Sequence, residues 1–226
     1  MKSNAIHAVV RCRKMSHVMR TYLKHIPGYR RLIRLLKVGE SSRDFLLKAM
    51  PTNSICAEIG VDRGDFSRRI LDIVRPMKLH LIDPWKYEQE QIYKNTLYGG
   101  ALGGSQAHMD KRYQKVVKRF RLEIENGQVV VHRGYSYEVC NDFEDQYFDW
   151  IYIDGNHLYE FVKKDLELYY NKVKENGFMM GDDYVTGDWW QGGVKKAVDE
   201  FVARGGVTVI QIENKQFTLK RDSSTK

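Results

Sequence analysis

No stretch of this sequence approaches the roughly 18 to 20 consecutive apolar residues that a membrane span needs. Its basic beginning, MKSNAIHAVVRCRKMSH, holds an apolar run far too short for the core of a signal peptide. A cytoplasmic protein is therefore expected. Cysteine is scarce: Cys12, Cys56 and Cys140 lie far apart and form no CxxC pair, which removes both a zinc ribbon and a disulfide framework. The GK[ST] ending of a phosphate-cradling P-loop is missing, and no RNA-binding module is recognisable.

What is present is ordinary for one folded domain: 226 residues, 42% hydrophobic and 12% aromatic. The charge is not spread evenly. Residues 1–50 carry 12 Lys and Arg against Glu40 and Asp44, whereas the rest carries 25 basic and 27 acidic residues. The net charge of +8 thus belongs to the N-terminal segment. Val18, Met19, Tyr22, Leu23 and Ile26 recur there at helical spacing, so residues 1–50 are expected to form a basic helical arm. Such an arm suits packing across the domain or a second subunit in a homo-oligomer. It equally suits peripheral contact with an anionic membrane surface, or a phosphate-bearing substrate.

After Pro51 apolar runs and helical patterns alternate. SICAEIG, KLHLID, QVVVHRG, FDWIYID and GFMMGDD read as strands. DFSRRILDIV, MDKRYQKVVKRFRLEI, LYEFVKKDLELYYNKV and GGVKKAVDEFVARGG read as helices, with SYEVCNDF a short one. VTVIQIENKQFTLKR reads as a closing hairpin. Strands separated by helices pair in parallel, because each crossover needs a dozen or more residues. The expectation is an open α/β sheet, mostly parallel, with an antiparallel last strand.

In such sheets ligands bind at the carboxyl ends of the strands. The residues that follow each apolar run are Glu58-Ile-Gly60, Asp83-Pro-Trp85, Gly134-Tyr-Ser136, Asp154-Gly-Asn-His157 and Asp182-Asp183-Tyr184. Gly60 and Gly64 permit a tight turn that brings backbone close to a ligand. Asp83, at the second strand end, is placed to accept the hydroxyls of a ribose. A nicotinamide dinucleotide would want the tighter GxGxxG loop, and Glu58 would face its pyrophosphate. A ligand with an amino group or positive charge fits better.

Six stretches, AEIGVDRGDFS, LHLIDPW, RGYSYEV, FDWIYIDGNHLYEFVKKDL, GDDY and GVKKAVDEF, stand in the order in which class I S-adenosylmethionine-dependent methyltransferases carry them. The chain resembles that family over roughly residues 50–220, and within it is similar to the macrocin-type sugar O-methyltransferases. The resemblance implies that residues 51–226 form a Rossmann-like methyltransferase domain with sheet order 3-2-1-4-5-7-6. It also implies that Glu58, Gly60 and Gly64 line the methionine part of the cofactor, that Asp83 binds its ribose and that Ser136 lies by its adenine, with Asp154 beside the cofactor.

With strands four and five adjacent, their ends lie about 5 Å apart, so Asp154, Asp182 and Asp183 can converge. Three close carboxylates repel unless protonated or shared with a cation, and Mg²⁺ with oxygen ligands fits that arrangement. His157 is the base candidate for deprotonating an acceptor hydroxyl; Asp182 is the other. Asn156 stands where several sugar methyltransferases carry a second acid. The long segment after Asp83 and VTGDWWQGG are expected to close over the acceptor, with Trp85, Tyr87, Trp189 and Trp190 stacking on a ring or packing the lid.

The leading expectation is magnesium-assisted O-methylation of a hydroxyl on a sugar or other carbohydrate-bearing metabolite. A catechol or small-phenol acceptor would use the same machinery. An RNA acceptor would draw on the basic arm, but an acid cluster is unhelpful to a phosphate backbone, so nucleic acid is the weaker expectation. A non-enzymatic, cofactor-binding scaffold is the remaining alternative.

Overall fold

A computed structural model of the protein describes residues 43–94, 96, 98–100, 104–187 and 189–223. The expected basic arm falls outside the described residues up to Ser42. Helix α1 (Asp44–Ala49) follows, and its Leu46 and Leu47, with Met50, are buried in the domain core. The chain then alternates through β1 (Ile55–Ile59), α2 (Asp65–Ile73), β2 (Lys78–Asp83), α3 (Gln106–Arg119), α4 (Arg121–Glu125), β3 (Val129–Arg133), α5 (Ser136–Val139) and β4 (Phe148–Ile153). It ends with α6 (Tyr159–Tyr170), β5 (Val173–Gly181), α7 (Gly193–Ala203), β6 (Val207–Glu213) and β7 (Gln216–Arg221).

The strands form one sheet in the order β3-β2-β1-β4-β5-β7-β6. Pairing is parallel from β3 to β5, while β7 runs antiparallel to both β5 and β6. The expected Rossmann-like topology is the one observed. Central strands are buried on both faces, which explains their near-continuous apolar composition. Side chains alternate across the sheet: Ile151 and Ile153 pack with α6 and α7, whereas Trp150 and Tyr152 pack with α1, α2 and α3.

Register places the chemistry. Ile59 pairs with Ile82 on one side and Ile153 on the other, and Ile153 pairs with Gly181. The ladder continues one residue further, with the N–H of Gly60 donating to Ile82, that of Asp154 to Ile59 and that of Asp182 to Ile153. Residues that follow five different apolar runs thus emerge along one edge of the sheet.

Two elements depart from the sequence reading. The single helix expected over 109–124 breaks at Phe120, whose backbone leaves the helical region so that its ring is fully buried beneath Arg68. The helix expected to run to Val173 stops at Tyr170, because Val173 is fully buried opposite Phe148 and opens β5 instead. Between Val173 and Phe178 the strand takes up extra residues, with Asn176 at φ 62°. Local helical preference yields there to tertiary burial.

Candidate active site

The turn after β1 brings two backbones together. Gly60 has φ +90°, and a Cβ on it would lie 2.1 Å from the carbonyl oxygen of Asp154. Only glycine permits that approach. Gly64 also has positive φ, but a Cβ there would meet the Phe120 ring at 2.6 Å. It caps α2 and packs on the core.

A cavity of about 630 Å³ opens over this edge of the sheet, lined by Glu58, Gly60, Asp83, Ser136, Asp154 and His157, with Arg43 at one side. Glu58 is 2% exposed and accepts a hydrogen bond from the Ser67 hydroxyl. Burial pushes its carboxyl well above the ordinary range. Asp83 is saturated by its own chain. Its Oδ2 accepts the N–H groups of Val61 (2.8 Å) and Asp62 (3.0 Å), and its Oδ1 accepts the Trp85 N–H (2.7 Å) and the Tyr98 hydroxyl.

The three acids expected to converge lie together, shared between one guanidinium and one imidazole. Arg43 bridges two of them, with Nη1 2.8 Å from Asp154 Oδ2 and Nη2 against Asp182. Its guanidinium also lies over the rings of Phe66 and Tyr152, at 5.4 and 5.8 Å. Asp182 accepts a further hydrogen bond from the Gln216 amide, whose oxygen receives the Tyr152 hydroxyl at 2.7 Å. The cluster suited to a cation is instead Asp154, His157 and Asp183, whose ligand atoms lie within 4.8 Å of one another. The set expected from sequence is Asp154, Asp182 and Asp183; of these, Asp154 and Asp183 share His157, while Asp182 lies against Arg43.

His157 sits between the other two, with Nε2 3.2 Å from Asp154 Oδ1 and Nδ1 3.3 Å from Asp183 Oδ2. The second contact is close but not a hydrogen bond, leaving Nδ1 buried without a hydrogen-bond partner among the described residues. Burial opposes protonation of this imidazole, yet Asp154, Asp183 and Asp182 outweigh it and raise the pKa. A proton and a divalent ion are thus alternative ways to satisfy the same three groups. The donor set fits a divalent ion, although an imidazole nitrogen departs from the all-oxygen set preferred by Mg²⁺ and moves it toward Mn²⁺ or Zn²⁺.

Neither Arg43 nor Gln216 carries a local sequence signal, since their partners are 111 and 34 residues away. Gln216→Leu is expected to orphan the Tyr152 hydroxyl and to take one of two donors from Asp182 Oδ1, which keeps the Asp183 N–H at 2.7 Å. The cost is about 2–4 kcal/mol, checked by denaturant unfolding. A loss below 0.5 kcal/mol would mean that water replaces the amide.

Asp165 was not anticipated. It lies on α6, 4% exposed, lines the cavity and accepts the Ser136 hydroxyl. Burial pushes its carboxyl from 3.8 up to about 7. A carboxyl raised in the folded state stabilises fully below its unfolded value, and that contribution is lost as pH rises through the folded one. The decline between pH 4 and 7 reaches roughly 4 kcal/mol at most. Asp165→Asn should flatten it: the difference in unfolding free energy should swing in the variant's favour from pH 4 to 8, and a pH-independent difference would contradict the raised carboxyl.

The segment after Asp83 supplies Glu88, Tyr93, Thr96 and Tyr98 to the cavity wall, and Trp189 and Trp190 face them. Tyr93 accepts the Asn156 amide at 2.7 Å and meets the Trp189 ring edge-on at 5.9 Å. Trp85 is fully buried, donates to the Asp62 carbonyl and belongs to the core rather than the mouth.

An open sheet of this order, with a glycine turn after β1 and acids at the ends of β2 and β4, is the architecture of an S-adenosylmethionine-dependent methyltransferase. The chain belongs to that class of enzyme through a family described as a methyltransferase domain, whose model matches residues 57–184. No curated sequence matches it. Solved structures share the fold. A Corynebacterium glutamicum protein aligns with TM-score 0.60 and 12% identity over 92% of this chain and 97% of its own. A Staphylococcus aureus protein, provisionally described as a caffeoyl-CoA O-methyltransferase, gives 0.57 and 15% over 97% and 99%. A Clostridium thermocellum protein, provisionally described as an rRNA methylase, gives 0.56 and 12% over 81% and 95%. At these identities the likeness is one of fold.

Proposed function

We propose that the protein transfers the methyl group of S-adenosylmethionine to a hydroxyl oxygen of a sugar or glycosylated metabolite, with a divalent cation at Asp154, His157 and Asp183. The observation that carries this reading is the Asp154–His157–Asp183 cluster, whose Asp154 and His157 line the cavity, with a buried imidazole nitrogen that has no hydrogen-bond partner among the described residues. When bound, the cofactor supplies the sulfonium methyl and the cation lowers the acceptor's pKa.

The chain's own groups do the positioning. Gly60 lets the turn after β1 close on Asp154, and Glu58 and Asp154 offer acceptors to the amino group at the methionine end. Asp83 fixes the turn through Val61 and Asp62. Tyr93, Trp189 and Trp190 give the mouth ring faces that suit a sugar's apolar side and help exclude water. Those faces serve a small phenol equally well, so a phenolic acceptor is the second reading. An RNA acceptor gains nothing from carboxylates at the mouth. Membrane contact and self-association rest on residues outside the described ones. Among the described residues no helix is long and apolar enough to cross a membrane.

The test is transfer of labelled methyl from S-adenosylmethionine into fractionated extract of the producing cells, with Mg²⁺, with Mn²⁺ and with excess chelator. Label in the glycan or nucleotide-sugar fraction that chelator abolishes is the expected result. Label that survives chelator would remove the cation and return His157 to the role of base paired with Asp154. Label in RNA would overturn the acceptor class.

A further inference from the structure

The acids at the cavity already have a cation of the protein's own. Arg43 places Nη1 2.8 Å from Asp154 Oδ2 and Nη2 against Asp182. Asp154 offers its other oxygen, Oδ1, to His157 Nε2 at 3.2 Å, and His157 Nδ1 stands 3.3 Å from Asp183. The groups therefore run in a chain, Asp182–Arg43–Asp154–His157–Asp183. Asp154 is the member that both halves need.

The backbone of Arg43 is pinned. It immediately precedes α1, whose Leu46 and Leu47 are buried in the core, and its neighbour Asp44 is 1% exposed and accepts Arg69 Nε at 3.1 Å. Only the side chain is left to shift. Its guanidinium rests on the rings of Phe66 and Tyr152, whose centroids lie 4.3 Å apart. Asp182, its second partner, is itself held through Oδ1 by the Gln216 amide and by the Asp183 N–H at 2.7 Å. Arg43 can therefore give up one carboxylate and keep the other, together with both rings.

Resting on the cation reading above, we propose that Arg43 is a built-in rival to the divalent ion: guanidinium and ion compete for Asp154, and the ion binds by drawing Asp154 to the His157 side while Arg43 falls back on Asp182. Charge supports the rivalry. Three carboxylates face one guanidinium and one imidazole, and a metal-ligating imidazole is neutral. The negative charge left over is what one divalent ion cancels. A monovalent ion leaves part of it standing and repays less of the cost of parting Arg43 from Asp154. Arg43 thus sets a threshold for ion binding and a preference for double charge. It is a positioning residue, acting through Asp154 rather than on the acceptor.

The experiment is Mn²⁺ titration of the full chain followed by electron paramagnetic resonance, for the wild type, Arg43→Gln and Arg43→Lys, with folding checked by circular dichroism. Removing the positive charge that shares Asp154 should tighten Mn²⁺ binding about 10- to 100-fold in Arg43→Gln. Arg43→Lys keeps the charge and should stay close to the wild-type affinity. Should the amide disturb packing, Arg43→Met keeps an apolar stem against Phe66 and Tyr152 and gives the same readout. Equal affinities for the wild type and the uncharged variants would overturn the proposal. So would weaker binding by the uncharged variants, which is the signature of Arg43 ordering the acids for the ion rather than competing for them. Tightening in Arg43→Lys as large as in Arg43→Gln would also overturn it, because the charge would then not be the rival. Failure of Mn²⁺ to bind the wild type and Arg43→Gln alike would instead overturn the cation reading, and the rivalry with it.

Discussion

Gly60→Ala is expected to lower the melting temperature by about 10 °C or to prevent folding. The residue holds φ +90°, and its new methyl would stand 2.1 Å from the Asp154 carbonyl oxygen and 2.7 Å from the Gly155 Cα. A positive φ costs a side-chain-bearing residue roughly 1–3 kcal/mol, and overpacking adds about 1–3 more. The obstructing atoms are backbone and cannot rotate aside. About 4 kcal/mol is a large share of a typical stability of about 5–15 kcal/mol, and each kcal/mol moves the midpoint by about 2–4 °C at this chain length. Gly127→Ala is the control. Its φ is +79° but nothing lies within 4 Å of the new Cβ, so it isolates the backbone term and should cost about 1–2 kcal/mol. Equal losses for the two variants would show that the β1 and β4 backbones can part, and that the close approach is not what glycine secures.

Asp154→Asn is expected to reduce kcat/KM for methyl transfer about 1,000-fold, the middle of the range for losing a positioned acid–base group. The amide keeps the shape of the side chain but not its charge. Arg43 then keeps Asp182 beside it, and His157 loses the negative charge 3.2 Å from its Nε2. The stability cost should stay below the roughly 3–5 kcal/mol of a wholly broken buried pair, since Asp182 still compensates the guanidinium. Manganese binding, followed by electron paramagnetic resonance, separates the two parts of the proposed function. Activity and Mn²⁺ affinity falling together support a cation at this residue. Activity falling with Mn²⁺ affinity unchanged would assign Asp154 to orienting His157 alone. Retention of a tenth or more of the activity would remove Asp154 from the chemistry.

The fold was readable because its signals are periodic. Strands β1, β2, β4 and β5 stand out as apolar runs that end in acid or glycine, and the helices between them follow from spacing alone. Phe120 and Val173 escaped, since what redirects the chain there is burial against Gly64 and Phe148, residues distant in sequence. The site was legible as a set of strand-end residues, but not as a set of pairings. Asp154, Asp182 and Asp183 look alike in sequence, and the guanidinium that sorts them arrives from a residue ahead of the first strand. Asp165 did leave a trace. Val162, Leu166 and Tyr169 mark the buried face of α6, and an acid falling on that face is the anomaly that a helical projection of LYEFVKKDLELYY displays.

The chain's four tryptophans fall into two pairs by position. Trp85 and Trp150 are fully buried in the core, one donating to a backbone carbonyl and the other to the Ser54 hydroxyl, while Trp189 and Trp190 stand in the cavity wall. Intrinsic emission therefore carries two separable messages. Quenching without a wavelength shift reports a guest between the wall rings, and a red shift reports water reaching the core. Ligand titration and melting can be followed in one cuvette, without a label or an added dye.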